Sequence, residues 1–369
     1  MQNHFEFDDL CDNLGPEQII HIHEPSCGLK AIVVVDNTAC GPSIGGIRMA
    51  SDVSTNEVFR LARAMTLKNA SAGLPHGGGK AGIVADPKTA DKSKLILAFA
   101  RAIRNLTSYI PGPDMGTDER CMALIHNEIG RSVGLPSVLG GIPLDKIGAT
   151  GFGIAQCAEI AAEHCGLDLK GARVAVEGFG NVGRPAASFL SKLGTKLVAA
   201  SDTQGTLFDS SGINIDQLIE IKERGGSVVD MGKGEKLTNQ AVFSVDCDIL
   251  IPAARPDVIN AENAHSIKAR VMLQGANIPA TAQAETILHQ RGVLVVPDFI
   301  ANAGGVICAS VEYHQGSQSV AFTQIAEKIR RNTREVLTRS RDAGIEPRQA
   351  AVDMARERVV EAMSYRCQG

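Results

Sequence analysis

A glycine-rich hexapeptide in the middle of the chain has the residue types and spacing that bind a dinucleotide. Gly178, Gly180 and Gly183 form the pattern GxGxxG between a predicted strand and a predicted helix. The first glycine allows a tight turn, the second lets the backbone approach a pyrophosphate, and the third lets helix and strand pack closely. The positive end of the helix then faces the phosphates. We therefore expect cofactor contacts from Gly178, Phe179, Gly180, Asn181, Val182 and Gly183.

The next acidic residue of this region, Asp202, follows Gly183 by 19 residues and ends the next predicted strand. A carboxylate at that place can accept hydrogen bonds from both hydroxyls of the adenosine ribose, and it repels a 2′-phosphate. Residues 203–207 contain no Lys or Arg that would offset this repulsion. The sequence therefore predicts NAD as the cofactor and disfavours NADP.

Three charged residues in the first half of the chain lie in unusual surroundings. Lys68 ends an otherwise apolar face of a helix predicted over residues 56–70, and Asp114 lies in the rigid turn PGPDMGT. Lys80 follows three glycines, but Leu74 and Ala81 replace the Gly and the Ser or Thr of a nucleoside triphosphatase loop, so we reject that activity. Taken singly, each of the three is compatible with an ordinary surface charge.

Composition narrows the class of protein. The chain has 369 residues, enough for two or three domains, and a net charge of −4, which leaves no electrostatic footprint for nucleic acid or an anionic membrane. An Arg-rich segment at residues 328–341 also contains Glu335, and it is interpreted as a solvated helix face. No apolar run is long enough to span a bilayer. We expect no nucleic-acid partner and no membrane partner.

The cysteines and the N-terminus bear on the compartment. Nine cysteines without a CxxC pair indicate reduced intracellular thiols, and the nine histidines lack metal-ligand spacing, so no metal site is expected. The first ten residues, MQNHFEFDDL, are acidic and lack the basic start and apolar run of a signal peptide. These features predict a cytoplasmic protein.

The predicted elements change in rhythm near residue 145. Before it, strands are predicted over 19–23, 29–35 and 81–84, and helices over 56–70 and 93–106. After it, short apolar strands alternate with helices, which is typical of a parallel sheet covered on both faces. These strands are predicted at 173–177, 196–201, 248–252, 270–274 and 293–297, and two amphipathic helices over 320–362 end the chain.

Eight stretches together resemble the glutamate/leucine/phenylalanine/valine dehydrogenase family. They are GGIRM (45–49), MTLKNA (65–70), LPHGGGK (74–80), PDMGT (113–117), ATGFG (149–153), GFGNVG (178–183), QGAN (274–277) and NAGGV (302–306). The resemblance implies two α/β domains with a cleft between them. Residues 1–140, with about 325–369 returning, would form the substrate-binding and catalytic domain, and 141–324 the Rossmann-type, doubly wound NAD-binding domain.

The resemblance also implies a reaction and its residues. Lys68 would bind the α-carboxylate of the substrate, aided by Asn302. Lys80 would activate the water that adds to the imine carbon, and Asp114 would transfer protons. The implied reaction is the reversible, NAD-dependent oxidative deamination of an L-amino acid to a 2-oxo acid and ammonia.

Two further implications concern the cofactor and the assembly. Thr150 and Asn277 would touch the nicotinamide end of the cofactor. A symmetric homo-oligomer is also implied, and its subunit number is left open.

The expected substrate pocket departs from the glutamate-specific branch of the family. That branch has a lysine before the Gly-Gly pair that begins at Gly45 and a serine four residues after the later pair, and both bind the side-chain carboxylate. This chain has Ile44 and Ala309 at those places, and Met65 replaces a glutamine. Burying a glutamate side chain there without a counter-charge would cost several kcal/mol. The pocket therefore resembles the leucine/valine/phenylalanine branch, and we expect Ile44, Gly45, Met65 and Ala309 to contact the substrate.

Two alternative functions stay open at this point. Glutamate dehydrogenase is the alternative within the family. The other is a non-catalytic NAD-binding redox sensor, but a sensor has no need of Lys68, Lys80 and Asp114 together. The identity of the apolar or aromatic amino acid is also left open.

Overall fold

The computed structural model describes residues 10–88 and 90–366. The strands are β1 Gln18–Glu24, β2 Leu29–Asn37, β3 Ser43–Ala50, β4 Gly77–Val84, β5 Tyr109–Pro113, β6 Arg173–Glu177, β7 Lys196–Asp202, β8 Gly205–Phe208, β9 Glu235–Leu237, β10 Ile249–Pro252, β11 Val271–Leu273 and β12 Leu294–Val296. The helices are α1 Thr55–Ser71, α2 Lys92–Ala102, α3 Glu119–Ile129, α4 Ala149–Cys165, α5 Gly183–Ser191, α6 Ile215–Glu223, α7 Ala282–Gln290, α8 Asp298–Ala301, α9 Gly304–Tyr313, α10 Gln318–Ala343 and α11 Pro347–Ser364.

The contacts divide the chain into two compact units. The first comprises residues 1–143, 306–321 and 353–369, and the second comprises 144–305 and 322–352. The division of the tail differs from the expected one, in which about 325–369 join the first domain. Most of α10 groups with the second unit because it packs on α4, where Arg330 Nη1 lies 2.7 Å from Glu159 Oε2.

The first unit is built on a five-stranded sheet with the order β1-β2-β4-β3-β5. Strands β4, β3 and β5 run parallel to one another, and β1 and β2 complete the sheet in antiparallel pairing. A buried cluster that includes Phe99 of α2 and Met122 of α3 packs against one face of this sheet. The three parallel strands present their carboxyl ends at the same edge of the sheet.

Strand β4 is longer than the sequence predicts. The glycines Gly77–Gly79 and Lys80 belong to the strand, whereas the sequence predicts a strand from Ala81 only. The reason is the close packing of α1, since a Cβ atom at Gly78 would lie 2.1 Å from the backbone nitrogen of Thr66. Glycine therefore permits the contact between helix and strand at this point.

Strand β5 and strand β3 are also absent from the prediction. Strand β5 has the sequence YIPGP and pairs with β3 only, at the edge of the sheet. Prolines are tolerated at such an edge because the missing N–H groups would have no ladder partner. The turn predicted at Pro111–Pro113 is therefore an edge strand.

The second unit contains a seven-stranded sheet with the order β12-β11-β10-β6-β7-β8-β9. Strands β12, β11, β10, β6 and β7 are parallel, and their connections carry helices, as expected for a Rossmann-type sheet. The expected α/β fold is confirmed. Two antiparallel strands, β8 and β9, extend the edge and were not predicted. Within the described part of the chain, no helix has the length and apolar character needed to cross a bilayer.

Candidate active site

Lys80 and Asp114 form a close ion pair in the first unit. Lys80 projects from β4, Asp114 follows the last residue of β5, and their Nζ and Oδ2 atoms are 2.9 Å apart. Strand β3 lies between β4 and β5, and its residue Gly46 lies beside both charged side chains. A Cβ atom at Gly46 would lie 2.7 Å from Cβ of Asp114 and 3.3 Å from Nζ of Lys80. The missing side chain therefore leaves the space in which the two charged groups meet.

Gly45, the expected substrate-contacting glycine, is fixed for a different reason. A Cβ atom there would lie 1.7 Å from the carbonyl oxygen of Gly79 on β4. Its own carbonyl oxygen accepts a 2.9 Å hydrogen bond from the buried hydroxyl of Tyr109. Glycine is required at this position by the packing of β3 against β4.

The surroundings of the pair shift both pKa values downward. Burial lowers the pKa of Lys80, and the attraction of Asp114 opposes this effect without cancelling it. Burial raises the pKa of Asp114, but Lys80 and Arg48 outweigh burial and hold this pKa below its usual value. A lysine that gives up its proton more readily than usual, beside an ionised carboxylate, suits general acid–base chemistry.

A third charged residue, Arg48, completes this group, and reasoning from the sequence gave it no role. Its Nε donates to Oδ2 of Asp114 at 3.0 Å, and its Nη1 lies 2.6 Å from Oε1 of Glu57 on α1. The signal that could have identified it is an arginine within the predominantly apolar run of β3.

The other expected substrate-binding groups lie in different parts of the chain. Lys68 is half-buried in the last turn of α1, in the first unit. Asn302 is buried in the second unit, and its Nδ2 donates to Oδ1 of Asn277 at 3.0 Å and to the carbonyl oxygens of Gly275 and Ala276 at 3.3 Å. The joint role of Lys68 and Asn302 at the α-carboxylate stays a prediction.

The three residues expected around the substrate side chain lie in one apolar cluster of the first unit. Buried Ile44, Ile110 and Val133 form its centre, and half-buried Met65, Ala309 and Tyr313 pack against them. Ile110, Val133 and Tyr313 were not identified from the sequence, because they come from β5, the loop after α3 and the end of α9. We name these six residues the apolar cluster.

A buried carboxylate fixes α9 beside this cluster. Oε1 of Glu312 accepts hydrogen bonds from the backbone N–H groups of Gly134 and Leu135 at 2.7 and 3.0 Å, and Oε2 accepts one from Ile142 at 2.8 Å. Three donors satisfy the buried charge, which would otherwise be costly. Tyr313 and Ala309, on the same helix, are thereby held against Val133.

The glycine loop of the second unit fits a dinucleotide. Gly178 has a positive φ of 84°, as the tight turn requires, and a Cβ atom at Gly183 would lie 2.2 Å from the carbonyl oxygen of Gly178. A Cβ atom at Gly180 would meet nothing within 4 Å, which leaves open space beside the backbone for a pyrophosphate. Phe179 is buried, whereas Asn181 is exposed and Val182 precedes the first residue of α5. Residues and geometry therefore fit a pyrophosphate on the N-terminus of α5.

Asp202 does not present the bare carboxylate that the sequence predicts. Lys222 of α6 places its Nζ 2.6 Å from Oδ2, which also accepts from the N–H of Val228 at 2.9 Å. Oδ1 accepts from Oγ of Ser227 at 2.8 Å and from the N–H of Gln204 at 3.0 Å. Burial raises the pKa of Asp202, but these four donors hold it below its usual value. Lys222 was not identified from the sequence, because it lies on the following helix and not within residues 203–207.

The two residues expected at the nicotinamide, Thr150 and Asn277, both belong to the second unit. Thr150 is in the first turn of α4, and a Cβ atom at Gly305 would lie 3.4 Å from its Oγ1. Asn277 is exposed after β11 and contacts Asn302 as described. Their contact with a cofactor stays a prediction.

Comparisons with protein families match both parts of the chain. The model "Glutamate/Leucine/Phenylalanine/Valine dehydrogenase" matches residues 140–367. The model "Glu/Leu/Phe/Val dehydrogenase, dimerisation domain" matches residues 16–131. The first match alone covers more than half of the chain.

Curated relatives are named glutamate dehydrogenases. One from Aeropyrum pernix is 38% identical over 356 residues, which cover 89% of this chain and 85% of the relative. An NADP-specific enzyme from Saccharolobus shibatae is 37% identical over 89% of this chain and 83% of its own. An NAD-specific enzyme from Staphylococcus aureus is 37% identical, and the match covers 89% of this chain and 84% of the relative.

Solved structures share the fold. A hetero-hexameric glutamate dehydrogenase from Thermus thermophilus, in a Leu-bound form, has a TM-score of 0.84 and 29% identity, covering 95% of this chain and 90% of that chain. L-tryptophan dehydrogenase from Nostoc punctiforme has a TM-score of 0.77 and 25% identity, covering 95% and 97%. This chain belongs to the glutamate/leucine/phenylalanine/valine dehydrogenase family and is an amino acid dehydrogenase that uses a nicotinamide cofactor.

Proposed function

We propose that this enzyme catalyses the reversible oxidative deamination of an apolar or aromatic L-amino acid. The amino acid, NAD⁺ and water give a 2-oxo acid, ammonium and NADH. The bound nicotinamide supplies the acceptor for the hydride that leaves Cα of the substrate. The observation that carries the choice of substrate is the apolar cluster around Ile44, Met65 and Ala309.

The charged groups of the first unit supply the acid–base steps. Lys68 binds the α-carboxylate of the substrate. Asp114 takes a proton from the amino nitrogen as Cα loses its hydride, which leaves an iminium carbon. Neutral Lys80 then takes a proton from the attacking water, which leaves a hydroxyl on the carbon, and Asp114 returns a proton to the nitrogen. Ammonia departs as the carbonyl forms, and the remaining hydroxyl proton is released to solvent. The 2.9 Å contact between Lys80 and Asp114 supports a joint role of the two groups at one carbon.

The apolar cluster favours an apolar substrate over glutamate. All six of its residues are hydrophobic or aromatic, so a glutamate side chain placed against them would lose hydration without gaining a counter-charge. That loss costs several kcal/mol. An aliphatic or aromatic side chain instead gains about 25 cal/mol for each Å² of apolar surface that it buries.

NAD is the proposed cofactor. The glycine loop accommodates a pyrophosphate, and Asp202 ends β7 beside it as the ribose-recognising residue would. The curated relatives include both NAD-specific and NADP-specific enzymes, so the preference requires a direct measurement.

Glutamate dehydrogenase is the second candidate, and the names of the curated relatives favour it. A panel of 2-oxo acids with ammonium and NADH separates the two candidates, since oxidation of NADH reports turnover. We expect faster turnover with the 2-oxo acids of leucine, valine, phenylalanine or tryptophan than with 2-oxoglutarate. The reverse ranking would replace our choice with glutamate dehydrogenase, and no turnover with any of them would remove the proposal of catalysis.

A variant pair tests the apolar cluster directly. Ile44→Lys places a cation in the cluster, and we expect kcat/KM for the preferred apolar substrate to fall about 100-fold because the ammonium is desolvated there. Val138→Lys is the matched control, since Val138 is 90% exposed. Equal kinetics of the two variants would contradict a substrate side chain at Ile44.

The assembly and compartment are further parts of the proposal. One family model that matches this chain is described as a dimerisation domain, and a structural relative is described as a hetero-hexamer. We propose a homo-oligomer in the cytoplasm. A mass measured in solution at the value of one chain, 38.9 kDa, would contradict the oligomer.

A further inference from the structure

Arg48 and Lys80 share one oxygen atom of Asp114. Nε of Arg48 lies 3.0 Å from Oδ2, and Nζ of Lys80 lies 2.9 Å from the same atom. The side chain of Arg48 is 20% exposed, and Glu57 anchors its other end at 2.6 Å. Asp114 is therefore paired with two different cations, a guanidinium and an ammonium.

The arrangement fixes the carboxylate and leaves its second oxygen available. The backbone N–H of Asp114 donates to Oγ1 of Thr117 at 3.0 Å, and that hydroxyl lies 2.8 Å from the carbonyl oxygen of Ile47. Arg48 then fixes the side chain through Oδ2. Among the residues that the structure describes, none donates a hydrogen bond to Oδ1 of Asp114.

The difference between the two cations matters once Lys80 acts as a base. A guanidinium stays charged at any pH at which a protein is folded, whereas a buried ammonium can lose its proton. If Lys80 were the only partner of Asp114, its loss of a proton would leave a half-buried carboxylate unpaired, which is costly. With Arg48 on the same oxygen, Asp114 keeps a cationic partner throughout.

The charged groups around Lys80 act on its proton in opposite senses. Asp114 from β5 attracts its proton, Arg48 from β3 repels it, and Glu57 from α1 attracts it weakly while neutralising part of the charge of Arg48. Burial lowers the pKa of Lys80 most, and Arg48 lowers it further. Removal of Arg48 is therefore expected to raise the pKa of both Lys80 and Asp114.

We propose that Arg48 is a positioning residue of the deamination reaction: it supplies a permanent cationic partner to Oδ2 of Asp114, so that Lys80 can become neutral while Asp114 stays ionised and turns Oδ1 to the substrate nitrogen. This inference rests on the proposed function for its substrate. It assigns Arg48 no contact with the reacting atoms.

The test compares Arg48→Met and Arg48→Lys with a control, Arg101→Met. Arg101 is a 64% exposed arginine whose Nε donates to Glu128 at 3.3 Å, so its loss removes a similar pair far more exposed to water. Deamination kcat is measured against pH for each protein with the preferred amino acid and NAD⁺. Thermal melting identifies any variant that fails to fold, and Arg48→Gln, which also lacks the cation, then replaces Arg48→Met in the test.

For Arg48→Met we expect kcat at neutral pH to fall about 100-fold, with the alkaline-rising limb displaced upward by about one pH unit, since both groups must be deprotonated to act. Arg48→Lys should keep the limb near its wild-type pH, because a cation is retained, while kcat falls about tenfold because the planar fork is lost. Arg101→Met should match the wild type. A limb that stays in place in Arg48→Met would overturn the proposal, whatever happens to kcat.

A second measurement separates this inference from the proposed substrate. The rate at which an amine-reactive reagent labels Lys80, followed by peptide mass spectrometry against pH, reports the neutral lysine without any turnover. An upward displacement in Arg48→Met supports the inference even if no amino acid in the panel is oxidised, a result that would contradict the proposed function alone. An unchanged labelling profile would overturn the inference while leaving the substrate assignment intact.

Discussion

The molecule contains two aspartate–lysine pairs at the places expected to bind substrate and cofactor, and they differ in how fully the carboxylate is used. Asp114 in the first unit meets Lys80 and Arg48 through Oδ2 alone. Asp202 in the second unit receives four donors, two on each oxygen. A carboxylate with an unused oxygen can accept a proton from a substrate, whereas one with four donors is held in place and accepts a ribose hydroxyl only where that hydroxyl replaces a donor.

The lysines of the two pairs also differ, in the exposed fraction of their side chains. The side chain of Lys80 is 7% exposed, and that of Lys222 is 21% exposed. Burial lowers the pKa of Lys80, so its ammonium is poised to lose a proton. From this comparison we expect an aspartate–lysine pair to be reactive where burial and an unused oxygen coincide.

The largest expected effect comes from removing the carboxylate charge of Asp114, with the same change at Asp202 as the comparison. Asp114→Asn should lower kcat about 1,000-fold, because the proton acceptor at the substrate nitrogen is lost. Asp202→Asn should leave kcat within about threefold and raise the KM for the cofactor about tenfold, because it alters a hydrogen-bonded binding surface. NADH formation measures kcat, and NADH fluorescence checks that Asp114→Asn still binds the cofactor. Similar losses of kcat in both variants would break the comparison.

The loss of Lys80 tests the same pair from its other side. Lys80→Ala should lower kcat by a similar factor, about 1,000-fold, and leave NADH binding largely intact, because the lysine lies in the first unit and the glycine loop in the second. Lys192→Ala provides a lysine control that lies over the ring of Phe189, on α5's C-terminal side. Near-normal turnover of Lys80→Ala would exclude it as the base.

The pH dependence of turnover should belong to the first pair alone. The lowered pKa of Lys80 means that the neutral amine is present at a lower pH than for a lysine at its usual 10.5. Deamination should therefore rise about tenfold per pH unit on a limb whose midpoint lies below 10.5, and the limb should be unchanged in Asp202→Asn. A midpoint at the usual lysine value, or a limb that moves in Asp202→Asn, would contradict this assignment.

The features that could be predicted from the sequence are those formed by residues close together in the chain. The glycine loop is contiguous in the chain, so the spacing of Gly178, Gly180 and Gly183 was enough to predict its geometry. Helix α1 was predicted over 56–70 and is observed at Thr55–Ser71. The strand–glycine–helix motif and the helix period are local properties, and a local pattern is enough to identify them.

The rest depended on contacts between residues distant in the chain. Lys80 and Asp114 meet across strand β3, and they can do so because Gly46 of that strand has no side chain to separate them. The sequence predicts no strand over the glycines of β4, because the reason for these glycines, the close approach of α1, is a tertiary contact. Lys222 reaches Asp202 from another helix, which no spacing within residues 203–207 could indicate.

A smaller effect is expected from the cation of the second pair. Lys222→Met leaves Asp202 without its ion-pair partner, so the carboxylate should repel a 2′-phosphate more strongly. We expect kcat/KM for NADP⁺ to fall about tenfold and that for NAD⁺ to change less than about threefold, since like charges near a protein surface repel by a few kcal/mol at most. Lys233→Met is the control, because Lys233 is 75% exposed and pairs with Asp209 at 3.2 Å. Equal losses with both cofactors would show that Lys222 acts by positioning rather than by charge.

The smallest effect is expected at Ser227, which supplies one of the four donors to Asp202 and caps the turn Val228–Asp230. Ser227→Ala should lower the free energy of unfolding by about 1 kcal/mol, raise the KM for NAD⁺ about threefold and leave kcat unchanged, because three donors still hold the carboxylate. Ser211→Ala removes a comparable bond, from an exposed serine to Asp209, and should change neither stability nor kinetics measurably. A tenfold loss of kcat in Ser227→Ala would mean that the pair of Asp202 and Lys222 takes part in the chemistry, because a binding surface that loses one donor in four cannot slow a proton transfer in the other unit.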